Sequence, residues 1–430
     1  MESPPKSAEP DADELIVQGG NGAAAGAPIV PAAPRTGLRL RRGAPRVTLA
    51  LDRVQLAVLA YLGSRVLLLA VALLDSGFRH WSLLHEFVNW DGGWYRALAL
   101  DGYQHQVVHT QSTTGFFPLY PMLLWLVSRP VLLGAHSAHF ASQSVTVAGL
   151  VISGIGGLVA TVLVQRLAAG WWGEAAGLRA AILFCLFPGS VVFSMVYAEG
   201  IMIPLAVGCI LALQRRRWLL AGVLAALATA SEPEAAVLIV VCAASAVLEL
   251  RRRGWTDRAA LRSLAAPVLA PAGLVGVVAF LWAWTGTPFA YWTAQHYAWR
   301  ERFDPLALIH LATRLAHHVS FAHFNHPTIN LNWPVGLVGA AILLVLLILM
   351  LRIHRTISIE AWIWTLGIGF IAVTSEWVPP NPRLLITAFP AVIVLAYYFK
   401  RRAFGWIALA NGLLLAGMSA LTFVGLTLRP

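Results

Sequence analysis

The chain has 430 residues, 58% of them hydrophobic and only 12% charged, with a formal net charge of +11. That composition excludes a water-soluble globule. The basic residues come as short clusters between apolar runs, a pattern that orients membrane proteins, so nucleic acid is not an expected partner.

In chain order, residues 1–46 read as a disordered, basic cytoplasmic tail. Ala, Pro and Gly dominate it, no apolar period appears, and Arg35, Arg39, Arg41, Arg42 and Arg46 close it. No short apolar core precedes a small-residue cleavage site, so no signal peptide is expected. From residue 47 on, one transmembrane domain is expected. Apolar runs predict helices over about 54–74, 142–166, 179–197, 200–214, 218–231, 234–250, 261–284, 333–351, 358–376, 384–399 and 404–427. That makes about eleven spans of an all-α polytopic membrane protein. Cys185, Cys209 and Cys242 all fall inside these runs, so neither a disulfide framework nor a cysteine metal site is expected.

The clusters Arg215–Arg217, Arg251–Arg253, Arg352/Arg355 and Lys400–Arg402 mark the cytoplasmic side. Parity then closes with the N-terminus inside and the C-terminus outside if 118–133 is a re-entrant or interfacial helix. The outer side receives 75–141, 197–200, 231–234, 285–332 and 377–383. These segments hold Asp91, Glu199, Glu232, Glu234, Glu301, Arg383 and every histidine except His354. Titratable groups gathered on one face of a membrane protein point to a site there, in a bacterium the periplasmic face of the inner membrane.

Within that face, Asn89-Trp90-Asp91-Gly92-Gly93-Trp94-Tyr95 puts a carboxylate among aromatics. Asp91 serves either as a helix-start residue or as a general base toward a hydroxyl, with Trp90, Trp94 and Tyr95 as surfaces for a sugar ring. Pro118 and Pro121 shape a corner that could bring Tyr120 to the wall. Glu199 either caps the next helix or orients an acceptor or an arginine. Ser231-Glu232-Pro233-Glu234 reads as a polar turn with acids at a helix start. The loop 285–332 offers His296, Arg300 and Arg302 for a sugar and a lipid phosphate, and Arg383 adds a cation at a helix start. His318, His323 and His326 lack both cysteine partners and a helical His-x-x-x-His spacing, so no metal is expected.

Trp90-Asp91-x-x-Trp94-Tyr95, Ala99-x-x-Gly102-Tyr103, Phe116-Phe117-Pro118-Leu119-Tyr120-Pro121, Phe187-Pro188-Gly189-Ser190 and Tyr197-x-Glu199 occur in order, followed by Pro382-Arg383 and Phe389-Pro390. In this combination the chain resembles the PIG-V family of mannosyltransferases, in a bacterial, actinobacterial form. The resemblance implies a GT-C glycosyltransferase fold, Asp91 as catalytic residue, a polyprenyl-phosphate-mannose donor and no cofactor. The acceptor would be a hydroxyl of a cell-envelope glycolipid or lipoglycan. It breaks at Ser231-Glu232-Pro233-Glu234, where the family usually carries an Arg-Pro-x-Gly-like turn. Arg300, Arg302 or Arg383 would then have to serve the donor phosphate, or the sugar would differ, for example arabinose or glucose. A carrier or flippase on the same scaffold would call for internal repeats and polar groups near the midplane, and neither is evident. A non-catalytic subunit of a glycan-assembly complex is the remaining alternative.

Overall fold

A computed structural model describes residues 45–80, 82–134, 137–319 and 330–423. The tail expected over residues 1–46 therefore lies almost wholly outside the described residues, as do His323, His326 and the side chain of His318. The compact unit runs Val47–Pro430.

The long helices are α1 (Pro45–Arg79), α4 (Ala138–Trp172), α8 (Val237–Arg253), α11 (Asn332–Arg352) and α14 (Arg401–Phe423). Between them lie α2 (Asp91–Asp101), α3 (Leu119–Leu132), α5 (Glu174–Leu186), α6 (Glu199–Gln214) and α7 (Trp218–Thr229). The others numbered are α9 (Ala272–Thr285), α10 (Ala307–Val319), α12 (Ile359–Thr374) and α13 (Pro382–Thr387). Shorter helical turns are left unnumbered. Apart from one isolated bridge, Phe303 to Ser375, the described residues contain no strand. The chain is a helical, multi-pass membrane protein.

Helix length and composition do not confirm the count of about eleven spans. Among the described residues, six helices are long and apolar enough to cross, or seven if the bent pair Glu174–Leu186 and Pro188–Ser194 is one span. The 16 residues of α6 and 12 of α7 rise only about 24 and 18 Å, against a hydrocarbon core of about 30 Å. The expected span 179–197 bends by 74° at its break, because Pro188 lacks an N–H and holds Phe187 extended (φ −63°, ψ 139°). The expected span 384–399 is three short helices, interrupted beside Pro390.

Two helices connect the ends of the molecule. The first, α6, runs from Glu199 to Gln214, which donates to Ser358 Oγ at 2.9 Å. The second, α8, starts just after Glu234 and ends at Arg253, where Glu249 pairs with both Arg253 (2.6 Å) and Arg216 (3.4 Å). Glu199 and Glu234 therefore lie at one end of these helices, and the arginine clusters, with Glu249 among them, at the other.

Close packing of α4 on α6 fixes the depth at which Glu199 is presented. A Cβ on Gly156 would fall 1.6 Å from the Gly200 carbonyl oxygen, a contact only glycine permits. Gly156→Leu should therefore force these helices apart and destabilise the fold by about 1–3 kcal/mol or more. A lowered melting temperature in detergent checks this, and an unchanged one would reject the packing.

Candidate active site

Asp91 is positioned from both sides of the chain. Trp90 takes a left-handed φ of 61°, which turns the backbone into α2 and leaves its indole 36% exposed. The Val196 N–H donates to Phe87 O at 3.1 Å, lashing this segment to residues 195–198. Gly92 lies against the Val196 carbonyl, 3.4 Å from where a Cβ would stand. The Asp91 N–H donates to the Tyr197 hydroxyl at 3.3 Å, and that hydroxyl donates to Asn89 O at 3.4 Å.

Arg383 occupies the centre. It sits in the first turn of α13, which begins with Pro382 and is capped by the Asn381 side chain accepting from Leu384 N at 2.9 Å. Its guanidinium donates through Nη1 to Asp91, through Nε to Glu199 and through Nη2 to Glu232, the last at 3.5 Å. It also lies over the Tyr197 ring, 5.0 Å from the centroid. Glu232 accepts a second hydrogen bond, from the Tyr95 hydroxyl at 3.2 Å. One cation thus ties together carboxylates from three separate parts of the chain. The phosphate-binding role expected of Arg383 meets a group whose charge is already compensated.

These residues border a cavity of about 330 Å³. Its lining draws on residues 91–117, 231–234, 291–301 and 371–384, while Glu199 reaches the same arginine from residue 199. All five segments assigned to one side by charge parity therefore meet at one place.

The expected site residues divide sharply. Asp91, Tyr95 and Arg383 line the cavity. Glu199 is buried beneath it, 1% exposed and paired with Arg383. Tyr120 is fully buried behind Tyr95, its hydroxyl 2.8 Å from Ser153 Oγ, and so supports the wall without reaching the cavity. Trp94 stacks on Phe116 at 6.0 Å and meets Trp299 edge-on at 5.4 Å. His296 stacks on Trp292 at 4.8 Å and is not among the lining residues. Arg300 is exposed between two lining residues, Trp299 and Glu301. Arg302 borders a separate, open recess with His310 and Arg314. Among the described residues no group of three or more His, Cys, Asp or Glu is placed to hold a metal.

Sequence reasoning missed two acids. Glu232 was expected in a plain polar turn, yet it is 3% exposed and bonded to both Tyr95 and Arg383. Burial, reinforced by Glu199 and Glu234, pushes its carboxyl well above the ordinary range. Glu301 lines the same cavity, and burial raises its carboxyl to about 7. The available signal was an acid before a proline at a helix break on the same face as Asp91. Its partner could not be read from local spacing.

Residues 68–272 match the family model described as mannosyltransferase (PIG-V). No curated protein matches the chain. Among solved structures, the chain is similar to the Archaeoglobus fulgidus oligosaccharyltransferase tethered with an acceptor peptide containing the NVT sequon. The TM-score is 0.41 at 13% identity, over 85% of this chain and 56% of that one. It is also similar to the oligosaccharyltransferase AglB of the same organism, in complex with an inhibitory peptide and a dolichol-phosphate. Here the TM-score is 0.42 at 12% identity, over 87% of this chain and 56% of that one. The chain thus spans little more than half the length of these structures.

Proposed function

We propose that this protein, a membrane glycosyltransferase by its PIG-V mannosyltransferase match over residues 68–272, transfers mannose from a polyprenyl phosphate to a hydroxyl of a cell-envelope glycolipid or lipoglycan. The carrying observation is Asp91 on the cavity wall, oriented by Arg383, which also binds Glu199 and Glu232. Asp91 takes the acceptor's proton as its oxygen forms a bond to the anomeric carbon. The bond from that carbon to the phosphate oxygen breaks on the opposite face, so the configuration inverts. The departing phosphate takes the bonding electron pair, and the role of meeting it falls to exposed Arg300 beside the cavity.

The site faces the periplasm in this reading, since the arginine clusters at the far ends of α6 and α8 belong in the cytoplasm. An apolar groove of about 670 Å³ between α3, α4, α6 and α7 suits the isoprenoid chain of the donor. Its lining runs from Leu119 and Gly200, the neighbour of Glu199, to Arg215 and Arg217. Val159, 44% exposed, lines its middle. Val159→Trp should raise KM for a long-chain donor while sparing one with two or three isoprene units. Equal effects on both would place the chain elsewhere.

The test of the reading is incubation of the purified protein with polyprenyl-phosphate mannose, glucose and arabinose and with membrane glycolipids, followed by product mass. A mannosylated glycolipid is expected. Transfer of arabinose or glucose alone would overturn the choice of donor.

A further inference from the structure

Trp299, Glu301 and Glu234 line the cavity together with Asp91 and Arg383 but have no part in the transfer described above, yet they carry an unusual set of polar atoms. Trp299 Nε1, Glu301 Oε2 and Glu234 Oε2 are buried and lack a hydrogen-bond partner among the described residues. A buried polar atom in that state carries a desolvation cost that only a hydrogen-bonding partner offsets. A ligand that meets them removes the cost. One is a donor and two are acceptors, so a group that both gives and accepts hydrogen bonds fits, as a hydroxyl does.

The charge of the cavity narrows the class. Its lining acids are Asp91, Glu232, Glu234 and Glu301, against the single lining cation Arg383, already shared among three carboxylates. These acids offer hydrogen-bond partners to an uncharged polyol, while the donor phosphate is left to Arg300 beside the cavity.

The wall is also held rigidly. A π-helical turn over Ala294–Ala298 delivers Trp299 against Gly115, where a Cβ would stand 2.6 Å from the indole nitrogen. Gln295 Nε2 donates to Gly115 O at 2.9 Å. Beyond it, residues 302–304 pair with 374–376: Asp304 N donates to Thr374 O (2.8 Å) and Glu376 N to Arg302 O (3.1 Å). Successive side chains on such a pair face opposite ways. Glu301 and Ser375 accordingly line the cavity, while Arg302 and Glu376 border the separate recess.

We infer that Glu301, with Trp299 Nε1 and Glu234, recognises the hydroxyls of a neutral hexopyranose in this cavity and is a specificity-determining residue. The inference rests on the sugar-transfer reading above, but its test needs no transfer. The probe is methyl α-D-mannopyranoside and its deoxy analogues, with binding to the purified chain followed by saturation-transfer NMR. The wild type should prefer the parent glycoside over at least one deoxy analogue by about tenfold, the scale of one lost hydrogen bond to a built polar site. Glu301→Ala should bind both equally weakly, and Trp299→Phe should weaken all the probes. The near-isosteric Glu301→Gln, which retains the size of the side chain, should keep part of the preference and serves if the alanine variant misfolds. An unchanged ranking of analogues in Glu301→Ala, or in Glu301→Gln where the alanine variant misfolds, would overturn the inference, as would absence of binding to the wild type. If no donor gives product but the preference follows Glu301, the transferase reading fails and the sugar site stands. If transfer occurs and the preference ignores Glu301, this inference alone fails.

Discussion

Asp91→Asn should reduce transfer by about 10²–10⁴-fold, the usual contribution of a positioned general base. Melting temperature should remain close to that of the wild type. The amide keeps the shape and can still accept from Arg383 Nη1, whose other donors stay engaged with Glu199 and Glu232. The Asp91 N–H bond to Tyr197 is a backbone contact and survives the substitution. Lost activity with retained stability therefore separates chemistry from helix capping, the alternative role at the start of α2. A collapse in stability would favour the capping role.

The second large effect belongs to Arg383. Arg383→Met should destabilise the protein by about 3–5 kcal/mol, because deleting one partner of a buried ion cluster leaves the others uncompensated. The residues left behind are Glu199 and Glu232, 1% and 3% exposed, together with Asp91. Repulsion between them should open the junction of α2, α6 and α13. A fall in melting temperature at neutral pH, partly recovered on acidification as the carboxyls protonate, is the expected signature. An Arg383→Met protein as stable as the wild type would show that the cluster does not hold these segments together. Arg383→Lys should also fall short, since one ammonium cannot reproduce the forked contacts of a guanidinium.

Much of this was legible in the sequence. Asp91 stood out because an acid among indoles and glycines is unusual in so apolar a chain, and charge clusters alone sorted the five segments that meet around Arg383. The helix inventory was less legible. Apolar runs announce burial, but those at 200–214 and 218–231 yield helices too short to cross alone, and the breaks near Pro188 and Pro390 fragment two expected spans. The ion cluster was invisible for a different reason. Arg383 lies 292, 184 and 151 residues from Asp91, Glu199 and Glu232, so no local pattern links them. Glu232 consequently reads as a polar turn, and the absence of an arginine there leaves the donor phosphate to Arg300, Arg302 or Arg383. In the fold, that acid shares Arg383 with Asp91 and Glu199. Arg302 and Glu301 show a further limit. They are adjacent in sequence, yet extended backbone sends them to different recesses, so the residue expected in the site is outside it and its neighbour is inside.

The anomeric configuration of the product decides whether Asp91 acts as the base of an inverting transfer. Purified wild-type protein and Asp91→Asn would be given polyprenyl-phosphate-mannose and a glycolipid acceptor, and the new linkage read by NMR. The wild type should add one mannose, with configuration inverted relative to the donor, and the variant almost none. Retained configuration, or equal product from both proteins, would contradict that role for Asp91.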